Sequence, residues 1–445
     1  MPSKPNYYRL LKSNPTFRNL WYGQVISELG GWLNTIAIYA LILKLNGSGM
    51  SIAFTMMAKL FPVVLVSPMA GIICDRISRK RVMFTSDVLR SFVLLGFLLV
   101  GESEDLWLLY SLVIIEVALS SFFEPARSAI IPSLTTKEDL VIANALSGST
   151  WSVMLAFGAA LGGVVVSLLG IKAAFVLDSL TFLLSAWFIS KIPDSVEKLR
   201  PKTQNKPSQG GLHDFLEGVR YFASEPIVLV LSLLKSGLAI AGGVLTLIPL
   251  FAQQILSTPS AVSMGIGIIF SSRGIAAAVG PLLLTHAFGD ASSTLRRAIA
   301  AGFFLGGLSY LMFSRSETLL GASLSIAGAT FFGSIIWVFS SALIHLQAEE
   351  RFLGRIFSAE MAIMTLVMGL SNWIAGFAID QLGSSSNEVS YWMGITFMVP
   401  GVLWCGFLLF VQNRLKQGKS VGTVSPADPW GFMPLPTLST KKWKH

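Results

Sequence analysis

The chain carries 445 residues, 53% of them hydrophobic and only 13% charged, about half the charged share of an ordinary soluble domain. This balance excludes a soluble globular protein, and the useful count becomes the number of apolar runs that reach the roughly 20 residues needed to cross a hydrocarbon core. The formal net charge of +9 reads as an orientation signal and an attraction to anionic membrane lipid, so nucleic acid is not an expected partner.

The first twenty residues hold Lys4, Arg9, Lys12 and Arg18 and no acid. The apolar run behind them, near 21–44, is too long for the core of a signal peptide and is expected to stay in the membrane uncleaved. Further spans are predicted near 51–74, 83–101, 106–126, 147–169 and 171–191. The polar stretch that follows, rich in Pro and Lys, is too hydrophilic to enter a bilayer and long enough to link two bundles. A second set of spans is predicted near 226–254, 262–288, 295–314, 317–345, 357–380 and 390–411.

The predicted fold class is therefore an all-α integral membrane protein with twelve transmembrane helices in two six-helix bundles. Residues 1–191 form the first bundle, 192–224 a cytoplasmic linker and 225–411 the second bundle. Residues 412–445 form a tail with no helical period, expected to be disordered. An even number of spans puts both termini on one side. Most of the 33 basic residues fall in the tails and in the loops on that side, which makes both termini cytoplasmic in a cell (inner) membrane.

Chemistry other than transport finds little support. Cys74 and Cys405 lie far apart in apolar runs, and His213, His286, His345 and His445 are scattered, so neither a disulfide framework nor a metal site is expected. The stretch "QGKSVG" ends like a phosphate-binding loop, but Asn413 stands where the pattern needs its first Gly, and a span precedes it instead of a strand. No nucleophile, base and orienting group come together, so an enzyme is not expected, nor any cofactor.

The turn between the second and third spans, "GIICDRISRKRVM", packs one acid and four basic residues between two apolar runs. Positive charge there serves orientation, but Asp75 does not, nor does Gly71 one helical turn before it. A small residue admits a neighbouring helix, and a carboxylate at that level can accept from the free N–H groups that open one.

Gly71, Asp75, Arg76, Arg79 and Lys80 resemble the G-x-x-x-D-R-x-G-R-R/K loop of the major facilitator superfamily, with Ser78 where the pattern prefers Gly. The resemblance implies that this loop is a conformational latch on the cytoplasmic side, engaging the start of the eleventh helix. The stretch "FFEPARSAIIPSLTTKEDLVIANAL", the opening "NPTFRNLWYGQVISELGGWLN" and the loop "LQAEERFLGRIFSAE" are similar to the drug:proton antiporter branch that includes macrolide and enterobactin exporters. What that implies is a secondary active carrier exporting amphipathic or drug-like small molecules in exchange for protons, by alternating access and as a monomer. Export of an acidic metabolite such as a siderophore, lysophospholipid transport, and a non-transporting receptor or scaffold on a carrier fold are the alternatives.

Ionisable side chains near mid-membrane cost roughly 2.5–3.5 kcal/mol on insertion scales and are kept where they pair or face a wet cavity. Glu28, Lys59, Glu116, Lys235 and Arg273 all fall near the midpoints of predicted spans and are the candidate substrate and proton pathway, with Glu116 favoured for proton coupling and Glu28 next. Asp87 and Arg90, three apart in "SDVLRS", read as a same-face pair supporting the latch. Asp178 reads as an isolated acid, and Gly158, Gly162 and Gly163 as a close-packing face of the fifth span.

Overall fold

A computed structural model describes residues 7–136, 139–194, 225–288, 292–348 and 352–417. The tail beyond 417 and all but the first three residues of the 192–224 linker lie outside these. Without water to solvate peptide groups, a single segment can cross a membrane only as a helix, and every element among the described residues is helical. A short helix α1 (Tyr7–Ser13) leads into α2 (Pro15–Leu45), α3 (Gly49–Arg76), α4 (Arg79–Gly96), α5 (Leu106–Leu134), α6 (Leu140–Leu169) and α7 (Ile171–Ser190). After the linker come α8 (Pro226–Ala239), α9 (Val244–Ile255), α10 (Pro259–Phe288), α11 (Ser292–Phe313), α12 (Leu319–Gln347), α13 (Leu353–Asp380) and α14 (Ser386–Lys416).

Several boundaries follow from local chemistry. Asn14 caps α2 by accepting from the Phe17 N–H at 2.9 Å, with Pro15 pre-set at the first helical position. Ser78, the departure from the latch pattern, caps α4 by accepting from the Arg81 N–H at 3.3 Å, so the substitution supplies a helix start where the pattern's Gly would supply only freedom. Ser385 and Glu388 form a reciprocal capping box at α14.

The fourth span, predicted to end near 126, runs on in α5 through Pro125 and Pro132 to Leu134. Neighbouring helices reach the carbonyls around the prolines. The Arg79 guanidinium donates to the Ala129 carbonyl, and the Cys74 thiol approaches that of Phe122 at 3.8 Å. The seventh predicted span is continuous in place but broken in form, since a 3₁₀ turn over Ile240–Gly243 separates α8 from α9. Ser371 of α13 mends that break, its hydroxyl accepting from the Gly243 N–H at 2.9 Å and donating to the Ile240 carbonyl at 2.5 Å.

Eleven spans among the described residues are long and apolar enough to cross a membrane, against the twelve predicted. The remaining one is α11, a 22-residue helix at the place of the ninth span, whose Arg296 and Arg297 dilute its first turns.

Packing divides the helices into two groups. In the first, α2 lies on α6 and α7, α3 on α5, and α4 on α5 and α7; in the second, α8 lies on α12 and α13, α10 on α12, and α11 on α12 and α14. The groups meet along two seams, α6 with α10 and α3 with α13. Both seams are tight enough to need glycine. A Cβ on Gly274 would lie 2.3 Å from the Ala156 nitrogen, and one on Gly376 2.8 Å from the Gly49 carbonyl oxygen. At the end of the α3/α13 seam remote from the N-terminus, Asp380 accepts from the Gly49 and Met50 N–H groups at 3.0 and 2.8 Å and from the Ser48 hydroxyl. One bundle thus caps a helix of the other.

Candidate functional site

The first bundle holds a charge network between α4, α5 and α7. Arg90 donates through Nε and Nη2 to Glu116 Oε1 at 3.0 and 2.7 Å, and its Nη1 lies 3.6 Å from Asp87 Oδ1. The guanidinium stacks 3.9 Å from the Phe182 ring centroid, and Ser185 donates to Asp87 Oδ2 at 2.6 Å. All three charged residues are buried, so the apolar surroundings strengthen a pair that would count for little in water. Asp87 and Arg90, read as a same-face pair supporting the latch, do lie together, and Arg90 also reaches Glu116. Spaced three apart, they present one face of α4 to α5 and α7.

Asp178 extends the network. It is fully buried on α7 and lies within electrostatic reach of Glu116, Arg90 and Lys59. Sequence reasoning set it aside as an isolated acid; "VLDSL" carries no hint of partners contributed by other helices. Lys59 of α3 is only partly buried and donates to Thr35 Oγ1 on α2 at 2.9 Å. One turn below Thr35 on the same face, a Cβ at Gly31 would meet nothing within 4 Å, so this side of α2 borders open space while its other sides are covered by α6 and α7. Lys59 therefore stands between the buried acids and this less covered side of α2.

Glu28 occupies that face of α2 as well. It accepts from the Gln24 amide at 2.8 Å, and Arg127 in turn donates to Gln24 Oε1 at 3.0 Å while pairing with Glu124 at 2.6 Å. The "PAR" arginine is thus the anchor of a polar chain that ends on Glu28.

In the second bundle Lys235 meets Glu360 at 2.7 Å, both of them buried, with the ammonium 4.7 Å from the Trp337 ring and 5.2 Å from that of Phe357. The sequence reading missed Glu360, although an acid within "SAEMAIMT" of a predicted span was the available signal. Arg273 of α10 is partly buried and lies 5.4 Å from the Phe270 ring, which stacks on Tyr39 and is tilted against Trp32, both of α2. Neither Lys59 nor Arg273 has an acid within ion-pair distance among the described residues.

Of the latch residues, Arg79 reaches the α5 carbonyl already described, Lys80 pairs with the exposed Asp194 at 2.8 Å, and Arg76 is exposed. The side chains of Gly71 and Asp75, and residues 349–351 ahead of α13, lie outside the described residues.

The architecture and this site can now be set against known proteins. Residues 11–381 match the family described as transmembrane secretion effector. The chain belongs to this family, within the major facilitator superfamily. It is 27% identical over 436 residues to the uncharacterized MFS-type transporter YfiS of Bacillus subtilis (strain 168), covering 91% of this chain and 96% of that one. To macrolide efflux protein A of Streptococcus pyogenes it is 24% identical over 399 residues, covering 87% and 93%. Among solved structures it is similar in fold to the nucleoside transporter NupG, with a TM-score of 0.69, 15% identity, and coverage of 88% of this chain and 99% of that one. The protein is thus a multi-pass membrane transporter of the major facilitator superfamily and not an enzyme.

Proposed function

We propose that this transporter exports amphipathic small molecules and takes up protons in exchange, the two bundles rocking about their seams to expose a central cleft to one side at a time. The observation that carries this reading is the network on α4, α5 and α7, where three carboxylates (Asp87, Glu116 and Asp178) face two cations, Arg90 and Lys59. Fully ionised, such a cluster keeps one uncompensated negative charge in a low-dielectric site, and binding one proton relieves it. Lys59, poised between those acids and the less covered side of α2, provides the link by which occupancy of the cleft alters proton affinity. The efflux function of the Streptococcus pyogenes relative supports an amphipathic cargo.

In the same reading both termini and the 192–224 linker are cytoplasmic, the bundles comprise residues 1–191 and 225–411, and the Gly71–Lys80 loop latches the cytoplasmic side. Reconstituted protein should drive ethidium against its gradient when a pH difference is imposed. Loss of that drive when the pH difference is collapsed, with ethidium-for-ethidium exchange retained, is the expected result; equal flux with and without the pH difference would refute proton exchange.

A second reading rests on Lys59 and Arg273, two partly buried cations without an acid in ion-pair distance among the described residues. These favour a cargo with a carboxylate. Competition by pyrenebutyrate, absent with its methyl ester, would select this reading over the first.

A further inference from the structure

We infer that the exchangeable proton resides on Asp178, bonded to Thr181, and that Glu116 acts only by holding Arg90. This rests on the proton-exchange reading above and assigns its site.

Thr181 Oγ1 lies 2.7 Å from the main-chain carbonyl oxygen of Asp178 and 3.1 Å from Asp178 Oδ1. A hydroxyl has one proton to donate and two lone pairs. The carbonyl can only accept, and it makes the shorter contact, so it takes the larger share of the threonine proton. Asp178 Oδ1 receives only the weaker share of that same hydroxyl at 3.1 Å, and no cation lies within ion-pair distance of the carboxyl among the described residues. Oδ2, buried and without any hydrogen-bond partner, suits the carbonyl oxygen of a neutral acid far better than half of a carboxylate.

The two other acids each have Arg90 within ion-pair distance, although Asp87 Oδ1 also lacks a hydrogen-bond partner. Glu116 Oε1 takes both guanidinium bonds from Arg90, and Asp87 accepts from Ser185 with Arg90 3.6 Å from its second oxygen. With Asp178 neutral, Asp87 and Glu116 balance Arg90 and Lys59. The charged groups that bear on Asp178 are thus Lys59 from α3, Arg90 from α4 and Glu116 from α5, while α2 sets Gly30 against it and α6 contributes no ionisable side chain.

Placement gives this proton a mechanical consequence. A Cβ on Gly30 would fall 2.1 Å from Asp178 Oδ1 and 2.0 Å from Thr181 Oγ1, so the α2 backbone rests directly on the proton-sharing pair. Ionising Asp178 leaves a carboxylate without a cation in ion-pair distance against α2. Relief comes from Lys59 leaving Thr35 on that same helix, or from α2 shifting on α7. Proton loss is thereby tied to the helix whose less covered side Lys59 adjoins.

Infrared spectroscopy of the full-length protein in proteoliposomes tests the assignment. At neutral pH the unaltered protein should show a protonated-carboxyl C=O band that is absent in Asp178→Asn and moved to higher wavenumber in Thr181→Val, which removes the hydroxyl bonded to Asp178 and leaves Glu116 untouched. Ethidium binding should weaken about tenfold per pH unit on acidification in the unaltered protein and change less than about twofold in Asp178→Asn, as one-proton linkage requires. A band that survives Asp178→Asn, a band unmoved by Thr181→Val, or no such band in the unaltered protein would overturn the proposal. Loss of all ethidium exchange in the unaltered protein would count against the transport reading, while the infrared result would still decide the proton site.

Discussion

Lys235 and Glu360 show what a single residue decides inside this protein. Their 2.7 Å contact is buried in both partners and flanked by aromatic rings, so it has no water to fall back on. Removing one partner strands the other charge, whereas replacing both with apolar groups removes the problem. Glu360→Gln is expected to lower stability by about 3 kcal/mol, and the double variant Lys235→Met with Glu360→Met to recover most of that loss. Thermal unfolding in detergent measures both; a double variant as unstable as the single one would show that the pair does more than compensate itself. Half of this pair was legible in the sequence, because a lysine in a long apolar run stands out by itself. Glu360 lies only a few residues inside the predicted eleventh span, where an acid reads as an end. Asp178 failed for another reason: its neighbours come from α3, α4 and α5, separations that no local pattern records.

At the scale of helices, the spans were legible because about 20 apolar residues in a row have one solution in lipid. Their ends were less so: α5 outlasts two prolines because side chains from α4 and α3 satisfy nearby carbonyls. The 3₁₀ break between α8 and α9 depends on Ser371, 128 residues from Gly243. The seams carry the testable consequences. Gly274→Val places atoms where Ala156 backbone already stands, at 2.3 Å from its nitrogen, and is expected to widen the α6/α10 seam. Asp380→Asn keeps the shape of the α3 cap but removes its charge, which should shift the balance between states by about fivefold, or about 1 kcal/mol, toward opening on the side remote from the N-terminus. Spin-label distances across that end report the change, and unchanged populations in Asp380→Asn would reduce the contact to a passive cap.

For the molecule as a whole, the account joins two bundles, two glycine-lined seams and one buried network into a carrier. Membership of the transmembrane secretion effector family fixes the class of machine. Its currency is argued from Asp87, Arg90, Glu116, Asp178 and Lys59, which could be found only once α3, α4, α5 and α7 had been brought together. The most direct test is to reconstitute the protein with a pH dye in the vesicle lumen, set the pH equal on both sides, and impose an ethidium gradient. The account predicts that the lumen changes pH as ethidium moves, with proton flow opposite to ethidium flow, and that Asp178→Asn abolishes the pH change while ethidium still equilibrates. Ethidium movement by the unaltered protein with no change in lumenal pH would contradict it.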